Sequence, residues 1–221
     1  DSNGYTTVIK NSSAYVVDTT IQTATITLVN DSGYSNTDFL TADGRIRIDM
    51  SSSLNTGDTW TYSLDSGSTW QIGTGSSQTI TLANGTYGYY AIRVKVTDLA
   101  GNASTAAYDK RVVVDNTDTA APVFTNPSSV IAVDNDGTGT NLKIGKYTRL
   151  LTVETTDANK VYYSLSGASA SLFNIDNYGD IRFNENTGLS NASGDNYNLT
   201  VNAVDAFGNS SSQNVTVQVR D

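Results

Sequence analysis

Apolar and polar residues alternate with a period of two through most of the chain. TATITLV (Thr23 to Val29), RIRID (Arg45 to Asp49), TWTYSL (Thr59 to Leu64), QTITL (Gln78 to Leu82) and YAIRVKV (Tyr90 to Val96) carry the alternation in the first half. TRLLTVE, KVYYSL, GDIRF, YNLTVNAV and NVTVQV continue it in the second. Successive side chains of a strand point to opposite faces, so this period predicts strands with one face in a core. Clusters of Gly, Asn, Asp and Ser between the segments predict tight turns. No stretch of about a dozen residues places apolar positions at helical spacing. The expected fold is all-β, with two tandem antiparallel β-sandwiches.

A repeat sets the expected organisation. An aspartate, a glycine loop and a strand leaving at another aspartate recur three times: DSNG at Asp1 leads to Asp18, DLAGN at Asp98 to Asp115, and DAFGN at Asp205 to Asp221. Each copy reads as the last hairpin of a sandwich, and the copies begin about 100 residues apart, one sandwich each. Residues 18–118 and 119–221 are the expected domains. Residues 1–17 are either the closing strand of a preceding module or an extra N-terminal strand. Pro122 and Pro127 fall just after the boundary, where a residue without an amide donor suits the start or edge of a strand.

Composition narrows the chemistry. A chain of 221 residues fits two small domains. With no cysteine and no histidine, it has no disulfides, no thiolate nucleophile, and neither the commonest general base nor the commonest transition-metal ligand. The net charge of −9, from 22 acidic and 13 basic residues, disfavours nucleic acid and anionic membranes as partners. Only Glu154 and Glu185 are glutamates; the other 20 acidic residues are aspartates. Aspartate suits turns and rigid oxygen-ligand sites. No apolar run approaches the roughly 18 residues of a membrane span, and the N-terminus lacks the basic and apolar regions of a signal peptide. The chain is therefore expected to be an interior piece of something longer, or a mature product, with no membrane insertion.

The strings VVDTT, LVNDSGYSNTDFLT, TWTYSLDSGSTWQIGTG and VKVTDLAGNAS resemble the bacterial immunoglobulin-like repeats of giant RTX-type adhesins, over nearly all of the first domain. VYYSLSG, LFNIDNYGDIRF and YNLTVNAVDAFGNSSSQNVTVQV resemble cadherin repeats over about the last 65 residues. The junction Asp115-Asn116-Thr117-Asp118, with Pro122 and Phe124 after it, is similar to the cadherin calcium linker with an extra residue. Two departures stand out. The usual paired aspartates appear as Asp157 and Asn159, and Leu189-Ser190-Asn191-Ala192 stands where an acidic, basic, acidic motif is usual. The resemblance implies extender modules of an extracellular, bacterial cell-surface adhesin that serves cell adhesion or biofilm formation.

Calcium takes six to eight oxygen ligands from aspartates, asparagines and loop carbonyls, and the junction offers such groups from several segments. Asp115, Asn116 and Asp118 come from the linker, and Asp157, Asn159 and Asp205 from the top loops of the second domain. Asp31 and Asp38, in the loop from Asn30 to Gly44, form a second candidate set. Asp18 and Asp98 would repeat the linker-to-loop arrangement toward a preceding module. Asp134 and Asp136, in Asp134-Asn135-Asp136-Gly137, resemble the opening of a calcium loop. In each place, aspartates that merely cap solvated turns are the competing reading.

Thirteen tyrosines, with Trp60 and Trp70, could stack sugars, although core and cross-strand packing explains them more simply. Glu154 and Glu185 form a carboxylate pair only on paper. Asn84, Asn102, Asn198, Asn209 and Asn214 open glycosylation sequons at a frequency that chance explains. The chain is expected to be a calcium-stiffened, monomeric spacer and not an enzyme. Its partners are expected to be neighbouring domains of the same chain, with the host, surface or glycan ligand bound elsewhere. The rival is a glycan- or peptide-binding module.

Overall fold

The computed structural model describes residues 18–126, 130–134, 149–184 and 196–220. The expectation for residues 1–17 lies outside them, as do Pro127, Asp136, Glu185, residues 189–192 and Asp221.

In chain order the strands begin with β1 (Ala24–Leu28), β2 (Leu40–Thr41), β3 (Arg45–Met50), β4 (Thr59–Ser63), β5 (Gln71–Ile72) and β6 (Ser77–Thr81). They continue with β7 (Gly85–Tyr87), β8 (Arg93–Thr97), β9 (Ala103–Ala107), β10 (Val112–Val114), β11 (Val123–Phe124), β12 (Val130–Asp134) and β13 (Arg149–Thr152). The last are β14 (Thr155–Thr156), β15 (Val161–Ser166), β16 (Phe173–Ile175), β17 (Asp180–Phe183), β18 (Asn196–Asp205) and β19 (Ser210–Arg220). A single 3-10 turn, Ala170–Leu172, is the only helical element among the described residues. The all-β expectation therefore holds.

The described residues form two compact units. The first comprises 18–26, 48–78 and 91–108. It holds the antiparallel sheet β5-β4-β8-β9. Along β8 every second residue is buried, and Val94 and Val96 join Trp60 of β4 in the core. The period-2 pattern thus does what it predicts. YAIRVKV starts later than expected, because Tyr90 takes a left-handed φ of 60° and is 54% exposed, so the strand begins at Arg93.

The second unit comprises the described residues of 27–47, 79–90 and 109–220. It contains the sheets β2-β10-β7, β11-β14, β12-β19-β18-β15 and β13-β17-β16. One core joins the last two sheets: Phe173, Ile181 and Phe183 of β16 and β17 pack with Leu199, Val201, Val215 and Val217 of β18 and β19. Two sheets sharing one apolar layer make a sandwich.

Among the described residues two pairings run parallel, β2 with β10 and β12 with β19. Both join strands far apart in sequence, as parallel pairing requires, whereas the hairpins remain antiparallel.

Candidate metal centre

Asp118, Asp157 and Asp205 converge. One carboxylate oxygen of each lies within 4.8 Å of the other two. Asp118 comes from the segment between β10 and β11, Asp157 from the turn after β14, and Asp205 from the last position of β18. All three side chains are oriented in the same way. The Oδ1 atom of each accepts the backbone N–H two residues on: Ala120 for Asp118 at 3.1 Å, Asn159 for Asp157 at 2.7 Å and Phe207 for Asp205 at 2.9 Å. This local bond is what aspartate offers a turn, and it aims each carboxylate before any long-range contact forms.

Asp205 is fully buried. Its Oδ1 also accepts the Gly208 and Asn209 N–H groups at 2.7 and 2.9 Å, and its Oδ2 accepts Asn209 Nδ2 at 2.8 Å. The Asn159 amide donates to Asp118 Oδ2 at 2.6 Å. None of the three carboxylates forms an ion pair among the described residues. Lys160, next in sequence to Asn159, holds its Nζ 4.8 Å from the centroid of the Tyr162 ring. Three like charges at this spacing repel by about 3 kcal/mol per pair at an effective dielectric near 20. The donor set is hard oxygen throughout, with no nitrogen or sulfur ligand, and suits a cation such as Ca²⁺ or Mg²⁺. The group could hold a metal ion.

The other residues singled out in the sequence lie elsewhere. Asp115 is not among the three: its Oδ1 accepts the hydroxyl and N–H of Thr117, the N–H of Asp118 and the side-chain amide of Asn84. The Thr117 hydroxyl first, and then its amide, hold the Asp115 carboxyl below its ordinary pKa. Asn116 is exposed and donates its N–H to Asn84. Asp31 Oδ2 accepts the Phe39 N–H at 2.9 Å, while its Oδ1 is buried with no partner. Burial, with Asp38 as a lesser like-charge contribution, raises its pKa. Asp38 accepts the Leu40 N–H.

Asp18 is exposed and accepts both the N–H and the hydroxyl of Thr20 at 3.0 Å. The Thr20 amide is the chief cause of its lowered pKa. Asp98 is buried, and its carboxylate is taken up by Asn102. Asp134 ends β12 opposite Arg220 in the register. Its side chain lies outside what is described, as does all of Asp136.

Asn209 was missed by the sequence reading. So were Tyr34 and Gly33, which lie against the second half of the chain. Tyr34 stacks on Tyr162, and a Cβ on Gly33 would stand 2.4 Å from the Ala206 carbonyl oxygen. The signal for Asn209 is the shared Gly-Asn ending of DLAGN and DAFGN.

No protein-family model matches the chain, and neither does any curated protein. Among solved structures, the chain is similar to the protocadherin gammaB4 extracellular domain at 19% identity and a TM-score of 0.39. That likeness covers 75% of this chain and 25% of the other. The chain is also similar to human protocadherin-24 EC1-2 at 19% identity and a TM-score of 0.38, covering 83% of this chain and 91% of the other. It spans a quarter of the length of the first of these proteins.

Proposed function

We propose that this chain is a calcium-stiffened spacer of two tandem modules, 18–118 and 119–221, from an extracellular adhesion protein. The sequence resemblance favours a bacterial adhesin of the RTX type, displayed at the cell surface. The observation that carries the reading is the meeting of Asp118, Asp157 and Asp205 within 4.8 Å, with no ion pair to any of the three among the described residues. Such a group is held together at a cost that a divalent cation removes.

Asp118, Asp157 and Asp205 would hold the ion through their carboxylates. Asn159, whose amide oxygen and nitrogen exchange places by rotation, can add an oxygen, and water can supply the rest. The bound ion supplies charge neutralisation, and this chain's residues fix where that charge sits. Asp118 belongs to the linker, whereas Asp157 and Asp205 belong to the loops of the second module. Neutralising the three together ties the linker to the loops and removes hinge freedom. The role is mechanical, with the adhesion ligand bound elsewhere on the longer protein.

The rival, a glycan- or peptide-binding module, rests on Trp70 and Ile72, which are 40% and 80% exposed at the edge strand β5. Trp70 is tied to its own turn, its Nε1 donating to the Gly67 carbonyl at 3.0 Å, and that reading gives the carboxylate trio no role, so the spacer is preferred.

Calorimetric titration with calcium chloride and thermal melts with and without chelator test the reading. A site typical of extracellular modules binds at about 10⁻⁴ to 10⁻³ M. At calcium concentrations near 100 times Kd, linkage then stabilises the fold by about 2.7 kcal/mol. Asp157→Asn should change sign with the metal: it raises Tm in chelator by relieving repulsion and lowers it in calcium by removing a ligand. Equal melting of the unsubstituted chain under both conditions would sink the proposal.

A further inference from the structure

Asn209 sits at the meeting point of two segments. Its Nδ2 donates to Asp205 Oδ2 at 2.8 Å and to the Asp118 backbone carbonyl at 3.2 Å. Two residues on, the Ser211 hydroxyl donates to the Pro122 carbonyl. The closing hairpin β18-β19 therefore grips the linker at two carbonyls four residues apart.

The same grip occurs in the first unit. Asn102 Nδ2 donates to Asp98 Oδ2 at 2.7 Å and to the Asp18 carbonyl at 2.9 Å. Ser104, two residues on, donates its hydroxyl to the Gln22 carbonyl at 2.9 Å. Position for position, Asp98, Asn102 and Ser104 match Asp205, Asn209 and Ser211, and the gripped carbonyls of Asp18 and Gln22 match those of Asp118 and Pro122. The turns close alike as well: Asp98 N–H bonds the Asn102 carbonyl at 3.1 Å and Asp205 N–H bonds the Asn209 carbonyl at 3.0 Å.

The two grips differ in one respect. Asp118 and Asp205 are joined by Asp157, whereas no third carboxylate joins Asp18 and Asp98 among the described residues. Among the described residues the grip therefore forms both with and without a third carboxylate, on the same Asp-x-x-Gly-Asn turn.

We infer that Asn209 is the positioning residue of the Asp118, Asp157 and Asp205 centre. By bonding the Asp205 carboxylate and the Asp118 main chain through one nitrogen, it brings a linker carboxylate and a loop carboxylate together before any cation arrives. Asn102 is its structural twin, with the same bonds and no third carboxylate to serve among the described residues. The inference rests on the calcium reading of the site and adds to it the residue that preorganises the ligands. Partners that orient metal ligands typically account for about 10- to 100-fold in affinity.

The test compares Asn209→Ala, Ser211→Ala and Asn102→Ala with the parent chain, reading calcium affinity by calorimetric titration and Tm in excess chelator. Asn209→Ala and Asn102→Ala each lose the same turn bonds and should lower Tm in chelator alike. Of these two, Asn209→Ala alone should weaken calcium binding, by about 10- to 100-fold, and lose the calcium-induced rise in Tm. Ser211→Ala, which loosens the linker without touching a carboxylate, should weaken binding by a smaller factor.

If the parent binds calcium and Asn209→Ala binds it equally, the positioning role is overturned and the calcium reading stands. Equal weakening by Asn102→Ala also overturns it, because the effect is then general destabilisation. Should Asn209→Ala fail to fold, parent affinity in Ser211→Ala overturns it. No binding by the parent overturns the calcium reading, and the positioning role with it.

Discussion

Tyr34 and Tyr162 stack with ring centroids 4.0 Å apart and planes 3° from parallel. Beside them, Gly33 presses on the turn that follows Asp205, where a Cβ on Gly208 would stand 3.2 Å from the Gly33 Cα. The loop that carries Gly33 and Tyr34 thus packs on β15 and on the turn that follows Asp205. None of these contacts involves a carboxylate, so the loop stays packed whatever the charge state of the cluster.

The tyrosine pair should therefore couple equally in calcium and in chelator. A double-mutant cycle of Tyr34→Ala and Tyr162→Ala, read by urea unfolding, is expected to give about 0.5–1.5 kcal/mol under both conditions. A coupling that vanishes in chelator would mean that the cation, and not the stacking, holds the loop.

Gly33 has φ +131° and no room for a side chain beside the Ala206 carbonyl. Gly101 has φ +92° and open space around it. Gly33→Ala should cost about 2–5 kcal/mol, from backbone strain plus the clash, against about 1–2 kcal/mol of strain alone for Gly101→Ala. Denaturant unfolding of the two variants checks the difference, and equal costs would show that the loop yields.

Asp65 anchors the turn between β4 and β5. It accepts the Thr69 hydroxyl at 2.6 Å, the Thr69 N–H at 2.8 Å and the Ser63 hydroxyl at 2.8 Å. The Thr69 hydroxyl is the largest of the causes that lower its pKa to about 2. The folded pKa lies below the unfolded value of about 3.9. The stabilisation is therefore fully present above pH ~4 and is lost as pH falls from there toward 2. Asp65→Asn should flatten the pH dependence of stability in that window, cutting the protons taken up on unfolding at pH 3 by about 0.8. An unchanged slope of unfolding free energy against pH would refute the assignment.

Much of this architecture is legible without coordinates. RIRID, TWTYSL and NVTVQV lie where β3, β4 and β19 form, since alternation is a property of neighbouring residues. β9, with the sequence ASTAA, lacks apolar contrast, and only the glycine hairpin after Asp98, not alternation, predicts a strand there. Its pairing with β8 supplies what its own residues do not. The clustering of candidate ligands was legible only in part. The candidate set at the junction contains Asp118, Asp157 and Asp205, which meet, and also Asp115, whose Oδ1 accepts from Thr117 and Asn84.

The sequence by itself determined the strands, the turns and the Asp-x-x-Gly-Asn closure, because each depends on side-chain period or on bonds that reach only two to four residues. Only the tertiary structure decided which aspartates meet. Asp118 and Asp115 are three residues apart in one linker, yet one faces Asp157 and Asp205 while the other faces Asn84. That choice turns on strand register and on donors 31 to 91 residues away, distances over which composition and spacing carry no positional information.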